Sequence, residues 1–181
     1  MVQNKKVLLH ACCGICSAYP IKFLIENNYN PLIFFSNSNL DTQSEYNLRL
    51  NAQKKLCEYY EIELIIDNYL HDEFLNYVQG FENEPEKGKR CIKCMEYRLL
   101  KTAQKAKELS INTFTTSLSI SPHKNFNLIS ELGEKIGKTH TLEYLSINFR
   151  KNNGFLETNK IANELNLYRQ KYCGCEFAKN I

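Results

Sequence analysis

Short, wholly apolar runs alternate along this chain with longer stretches that are apolar on one face only. The runs "KVLLH" (6–10), "NPLIFFSN" (30–37), "IELIID" (62–67), "NTFTTSL" (112–118) and "HTLEYL" (140–145) read as strands. Between them, residues 17–28, 42–60, 72–78, 91–110, 128–137 and 159–168 carry helical patterns. The longest early one, 42–60, sets Leu48, Ala52, Leu56 and Tyr60 on one face, and 80–90 is a polar loop. Strands that are apolar throughout, each followed by a helix, predict an α/β fold: a parallel sheet with flanking helices. Sites in such sheets form at the carboxyl ends of strands. Cys12 directly follows the first strand, "SNSNLD" the second and "SISP" the fourth, so three loops are expected around one crevice. Residues 1–181 read as a single domain, with about 150–181 forming a C-terminal cap that carries Cys173 and Cys175.

Bulk composition narrows the class without naming a function. The chain has 181 residues, 43% of them hydrophobic and 24% charged, as expected of a water-soluble globular protein. A domain of this size needs no disulfide scaffold. The apolar run before His10 is only Val7 to Leu9, short of the ~7–15 residues of a signal peptide. No run approaches the ~20 residues of a membrane span. The expectation is a cytoplasmic protein with reduced thiols and no membrane partner. A net charge of +3 permits a nucleic-acid partner but does not require one.

The cysteines change the picture. Cys12, Cys13 and Cys16 stand together in "LLHACCGICSAYP", Cys91 and Cys94 form a C-x-x-C, and Cys173 and Cys175 flank Gly174. Neighbouring cysteines bridge each other only with strain, so Cys12 and Cys13 point to shared metal. Cys91 and Cys94 fall at a helix start, which favours thiolate. A zinc site would use Cys13, Cys16, Cys91 and Cys94, but residues 17–90 separate the pairs, far more than the usual ~15–20, and Cys12 is left idle. An iron–sulfur site would use Cys12, Cys13, Cys91 and Cys94 and leave Cys16 over. A metal-free thiol pair is the third reading. Cys173-Gly174-Cys175 suits a strained, labile disulfide, or else a further ligand pair or two buried thiols. Cys57 has no partner in sequence and reads as a core thiol.

Five segments in order, "HACCGICS", "NSNLDTQSEYNLR", "GFENEPEKGKRCIKC", "TTSLSISPHKN" and "LYRQKYCGC", resemble the cysteine-rich, cobalamin-independent epoxyqueuosine reductases over about residues 6–177. That resemblance implies reduction of epoxyqueuosine to queuosine at the tRNA wobble position, with an external electron donor. It implies a nucleotide α-hydrolase type of Rossmann-like fold, its phosphate loop replaced by "CCGIC". It places a 4Fe–4S cluster on Cys12, Cys13, Cys91 and Cys94, an additional iron ion beside Cys16, and a redox-active disulfide at Cys173 and Cys175. Glu45, Arg49, Arg90 and Lys124 match retained positions and are the substrate-contact candidates. Ile15, Ser38 and Thr42 stand where the family pattern has proline, and Ala178 where it has serine, all loop or peripheral positions.

Epoxide deoxygenation takes two electrons and two protons, beyond what protein acids alone supply, so a metal centre fits the chemistry. Lys87, Lys89, Arg90, Arg98, His123, Lys124, Arg150, Lys151, Arg169 and Lys171 are expected on a phosphate-contacting rim, with Tyr168 and Tyr172 stacking on an unpaired base. Asp41 is expected to serve the dipole of the helix it precedes. The rival classes are a zinc-stabilised nucleic-acid-binding module and a metal-free thiol oxidoreductase.

Overall fold

β1 (Lys5–Ala11) is the middle of the sheet, and its sequence shows why. Val7, Leu8, Leu9 and Ala11 are buried without remainder, as only a strand covered on both faces requires. In the computed structural model, which describes residues 5–178, β1 is flanked by β2 (Tyr29–Phe35) and β4 (Thr113–Thr116). β3 (Leu64–Ile66) and β5 (Glu143–Tyr144) form the edges, in the order β3-β2-β1-β4-β5. Every pairing is parallel, with Leu9 opposite Ile33 and Thr115.

The period of two along β1 divides the core. Leu9 and Ala11 pack with Ile33 under α1 (Gly14–Glu26), α2 (Gln43–Tyr59) and α6 (Gly154–Glu164). Leu8 faces the other way, with Phe34 and Phe114 under α4 (Lys89–Glu108) and α5 (Phe126–His140). α3 (His71–Tyr77) seals one end through Phe74, Val78 and Tyr97.

The strands and helices fall where the pattern predicts them, with three informative departures. α1 begins at Gly14 rather than 17, because Cys13 caps it: the backbone there is extended, and the Cys13 sulfur accepts the Cys16 N–H at 3.4 Å. Pro20 therefore lies inside the helix and has no N–H to give the Cys16 carbonyl. A Cβ on Gly14 would lie 2.7 Å from the Ala52 backbone, so glycine is what lets the start of α1 touch α2. On α2, Leu48 is exposed; the buried face instead carries Glu45, Arg49, Ala52, Gln53 and Leu56. α6 starts at Gly154 rather than 159, its first turn held by the buried Thr158, which accepts the Tyr19 N–H.

A polar residue ties the three central strands. His10 is fully buried, with Nε2 3.1 Å from the Ser36 carbonyl and Nδ1 2.9 Å from the Thr116 hydroxyl. The carbonyl can only accept, so Nε2 carries the proton and Nδ1 accepts from Thr116. The Thr116 oxygen in turn accepts the Leu118 N–H. Burial pushes the His10 pKa down to about 3, so the ring stays neutral. Replacing His10 by Leu leaves a buried hydroxyl and carbonyl unmatched. The expected cost is about 1–3 kcal/mol, or a fall of ~2–4 °C in Tm per kcal/mol for a chain of this size, to be read from thermal unfolding by circular dichroism.

Candidate metal centre

The centre is built first by the turn between β1 and α1. Cys12 directly follows the strand, Cys13 caps the helix, and Cys16 lies one turn on, which brings all three sulfurs together. Cys12 and Cys13 Sγ are 4.0 Å apart, and all three Sγ lie within 4.8 Å of one another, a group able to hold a metal. Ser117, in the 3-10 turn after β4 (Ser117–Ile120), accepts the Cys12 N–H at 3.2 Å and turns its own hydroxyl to Cys12 Sγ at 3.5 Å. Hydrogen bonds from Cys13 and Cys16, and the nearby Arg98, hold the Cys12 thiol well below its ordinary pKa. The same sharing pushes Cys13 up to about 12 and Cys16 well above its usual value.

Helix α4 brings the second pair. Cys91 lies in its first turn, its sulfur accepting the Lys87 N–H at 3.2 Å from a left-handed backbone. Cys94 lies one turn on; burial raises its thiol to about 12, and Arg98, Cys173 and Lys124 are its charged neighbours. Cys91 and Cys94 stand outside the close trio. The helix nonetheless packs against the trio, with Met95 in one buried cluster with Cys12 and Cys13, and Lys124 feels the charge of Cys173, Cys12 and Cys94. A zinc site on Cys13, Cys16, Cys91 and Cys94 would leave out Cys12, whose sulfur lies in the same close group as those of Cys13 and Cys16. Thiolates spread over two elements suit a polynuclear cluster, in which each sulfur binds a different iron. The donor set therefore fits an iron–sulfur group: soft sulfurs, with buried positive charge beside them.

The C-terminal segment lies against this centre. Arg49 Nε donates to Glu45 at 2.7 Å, and its two terminal nitrogens donate to the carbonyls of Cys173 (3.1 Å) and Tyr172 (3.0 Å). Tyr168 donates to the other Glu45 oxygen at 2.8 Å, and Tyr172 to Asp41 at 2.6 Å. The Asp41 N–H donates to the Gly174 carbonyl at 2.8 Å. Gly174 has φ +110, and a Cβ there would lie 2.4 Å from Leu40, so the turn between the two cysteines requires glycine. Lys124 Nζ lies 3.8 Å from Cys173 Sγ, and Gln170 Nε2 3.8 Å from Cys16 Sγ. Cys173 and Cys175 are both free thiols.

The sequence candidates thus separate. Glu45 and Arg49 are buried and direct their hydrogen bonds to the tail. Arg90 is 3% exposed; it donates to the carbonyls of Glu82 and Glu84 and lies over the Phe177 ring. Arg98 is also 3% exposed, which removes it and Arg90 from a solvent-facing rim. Lys87, Lys89, His123, Lys151, Arg169 and Lys171 are exposed, and Lys124 and Arg150 half-buried. Asp41 does not cap α2; Thr42 does, accepting the Glu45 N–H at 3.2 Å. Cys57 is buried beside Gln53, as a core thiol should be. Ser117, Asn37 and Gln170 went unnoticed in the sequence. The first two sit in the loops after β4 and β2, where the topology looks for sites, but their residue types alone carry no signal.

Comparison with known proteins follows the same lines. A family model described as epoxyqueuosine reductase QueH matches residues 7–180. A protein of that name from Streptococcus pyogenes serotype M1 is 37% identical over 178 residues, spanning 95% of this chain and 69% of its own. One from Staphylococcus epidermidis is 35% identical over 185 residues, covering 97% of this chain and 77% of its own. One from Helicobacter pylori is 39% identical over 182 residues, covering 97% of this chain but only 50% of its own. Among solved structures, the U34-tRNA thiolase NcsA from Methanococcus maripaludis with its [4Fe-4S] cluster superposes with a TM-score of 0.61 at 16% identity. It matches 97% of this chain, which spans 62% of the thiolase, and it establishes the nucleotide α-hydrolase type of fold.

The Arg49 clamp gives a direct test. A double variant, Arg49→Met with Glu45→Gln, removes both carbonyl bonds without stranding a buried carboxylate. Losing two bonds of ~1 kcal/mol each raises the open population of the tail about tenfold or more. Alkylation of Cys173 and Cys175 at mild alkaline pH, read residue by residue by mass spectrometry, should accelerate by that factor. Cys57, buried with its pKa pushed up to about 11, should stay unlabelled in both proteins.

Proposed function

The chain belongs to the epoxyqueuosine reductase QueH family, and from that premise we propose that it reduces epoxyqueuosine to queuosine at the wobble position of tRNA, using a 4Fe–4S cluster held by Cys12, Cys13, Cys91 and Cys94. The observation that carries the cluster reading is the grouping of the Cys12, Cys13 and Cys16 sulfurs within 4.8 Å of one another, with Met95, from the helix that bears Cys91 and Cys94, packed against Cys12 and Cys13. Converting the epoxide to an alkene releases its oxygen as water and consumes two electrons and two protons. When bound, the cluster would supply electrons singly, and the additional iron beside Cys16 would act as Lewis acid.

The protein's own groups take the remaining roles. Burial works against the charge on Lys124, yet the surrounding thiols hold its pKa above the ordinary value. Its ammonium is thus a persistent positive charge at the crevice, placed to stabilise the departing oxygen electrostatically. Cys173 and Cys175, one residue apart across Gly174, form the redox pair: two thiols become one disulfide, releasing two electrons and two protons. An external electron donor returns them to thiols. Cys16, faced by Gln170 and close to Cys12 and Cys13, is the ligand for an additional iron ion. Glu45, Arg49 and Arg90 act by shaping the tail and the loop before α4, so their contribution to substrate binding is indirect.

The tRNA is met by the exposed residues Lys87, Lys89, His123, Lys151 and Lys171, which contact phosphates, the lysines making affinity fall with salt. Among the described residues no helix is long and apolar enough to cross a membrane. The substrate places the reaction in the cytoplasm.

Protein purified without oxygen should be brown, absorb broadly near ~400 nm and carry about four iron atoms per chain. It should convert epoxyqueuosine to queuosine in tRNA, as read by nucleoside mass spectrometry after digestion. Cys12→Ala and Cys94→Ala should lose most of the iron and at least ~100-fold in activity, the scale of losing a centre that does the chemistry, while Cys57→Ala keeps both. A colourless protein with one zinc would instead establish the binding module. A metal-free protein that still exchanges thiols would establish the thiol oxidoreductase.

A further inference from the structure

We propose that Arg98 is a positioning residue of the cysteine centre: its buried guanidinium braces the helix bearing Cys94 against the strand end bearing Cys12 and sets the reduction potential of the cluster between them. This rests on the cluster reading above. Arg98 lies one helical turn beyond Cys94 on the same face of α4. Its Nη2 donates to Asn37 Oδ1 at 2.8 Å, and Asn37 Nδ2 donates to the Ala11 carbonyl at 2.9 Å. Ala11 is joined directly to Cys12. Two hydrogen bonds thus fix the separation between the two halves of the thiol set, through side chains that are 3% and 1% exposed.

Among the described residues no carboxylate pairs with the charge on this brace. Among the described residues Arg98 forms no ion pair, and its buried Nε has no hydrogen-bond partner. Its nearby charged or ionisable groups include the sulfurs of Cys12 and Cys94, the neutral His10 and a second cation, Lys124. A buried cation with a like charge beside it is strongly unfavourable unless an anion faces it. A cluster on four thiolates is such an anion, and it becomes more negative on reduction. Positive charge and an N–H donor beside the sulfurs therefore favour the reduced state. Asn37 is the suited partner, because an aspartate at that position would spend the guanidinium charge before it reached the sulfurs.

The test is the reduction potential of the reconstituted protein, measured by spectroelectrochemistry and electron paramagnetic resonance without oxygen. Arg98→Met should lower the potential, with at least a tenfold fall in the one-electron reduction constant, equivalent to about 59 mV. Arg98→Lys, which keeps the charge but loses the fork, should recover most of that shift. Asn37→Asp leaves Arg98 in place and neutralises it, so it should shift the potential in the same direction as Arg98→Met. A wild-type potential in both Arg98→Met and Asn37→Asp would overturn the inference alone. Equal loss of cluster in Arg98→Met and Arg98→Lys, with Asn37→Asp unshifted, would also overturn it by reducing Arg98 to packing. A wild-type protein without a cluster signature would overturn the cluster reading, and this inference with it.

Discussion

The turn from β1 into α1 is the constraint on which the centre depends. A fully buried strand delivers Cys12 to its carboxyl end. The next residue must leave the sheet and start a helix at once, and Cys13 does this with its own sulfur as the cap. The cap fixes Cys13 beside Cys12, and the helical period adds Cys16. Gly14 permits the close approach to α2 that follows. Three sulfurs in a few residues would be a liability on a flexible loop. Here each is fixed by backbone geometry before any metal arrives.

The rest of the protein answers the electrostatic problem this creates. Thiolates in a nearly dry interior require positive charge nearby. Lys124 and Arg98 supply it from two different elements. Neutral hydrogen-bonding residues, His10, Asn37, Thr116 and Ser117, fill the gaps between them without adding anions. Among the described residues the one buried carboxylate in this region, Glu45, is occupied by Arg49 and Tyr168. The acidic and thiolate charges are thus kept on separate partners.

Much of this was legible in the sequence, and what was not has identifiable causes. Continuous apolar strands announced the parallel sheet, and β1, β2 and β4 fall on the predicted runs. The three loops that the topology nominated are the ones that meet. The start of α1 was misplaced because cysteine is not among the residues that ordinarily announce a helix cap. The buried face of α2 was misassigned because it carries an ion pair where a hydrophobic stripe was sought; Leu48 took that place and is exposed. Arg90 and Arg98 were read as surface charges because arginine is rarely buried without a partner. For Arg98 that rarity is informative: a general tendency fails where the surroundings are made of sulfur. The function itself became legible through the combination of motifs, since none of the cysteine pairs alone distinguishes zinc, iron or redox chemistry.

The tail that Arg49 secures also has a position in time. The four cysteines proposed as ligands are all present once Cys94 has been made, but the segment that lies against them begins only near Tyr168. At ~5–20 residues per second of synthesis, several seconds separate the two. During that interval the four thiols exist without the strap, and the strand β4 and Ser117 that complete their surroundings are added first. The strap is thus the last part of the centre to be made.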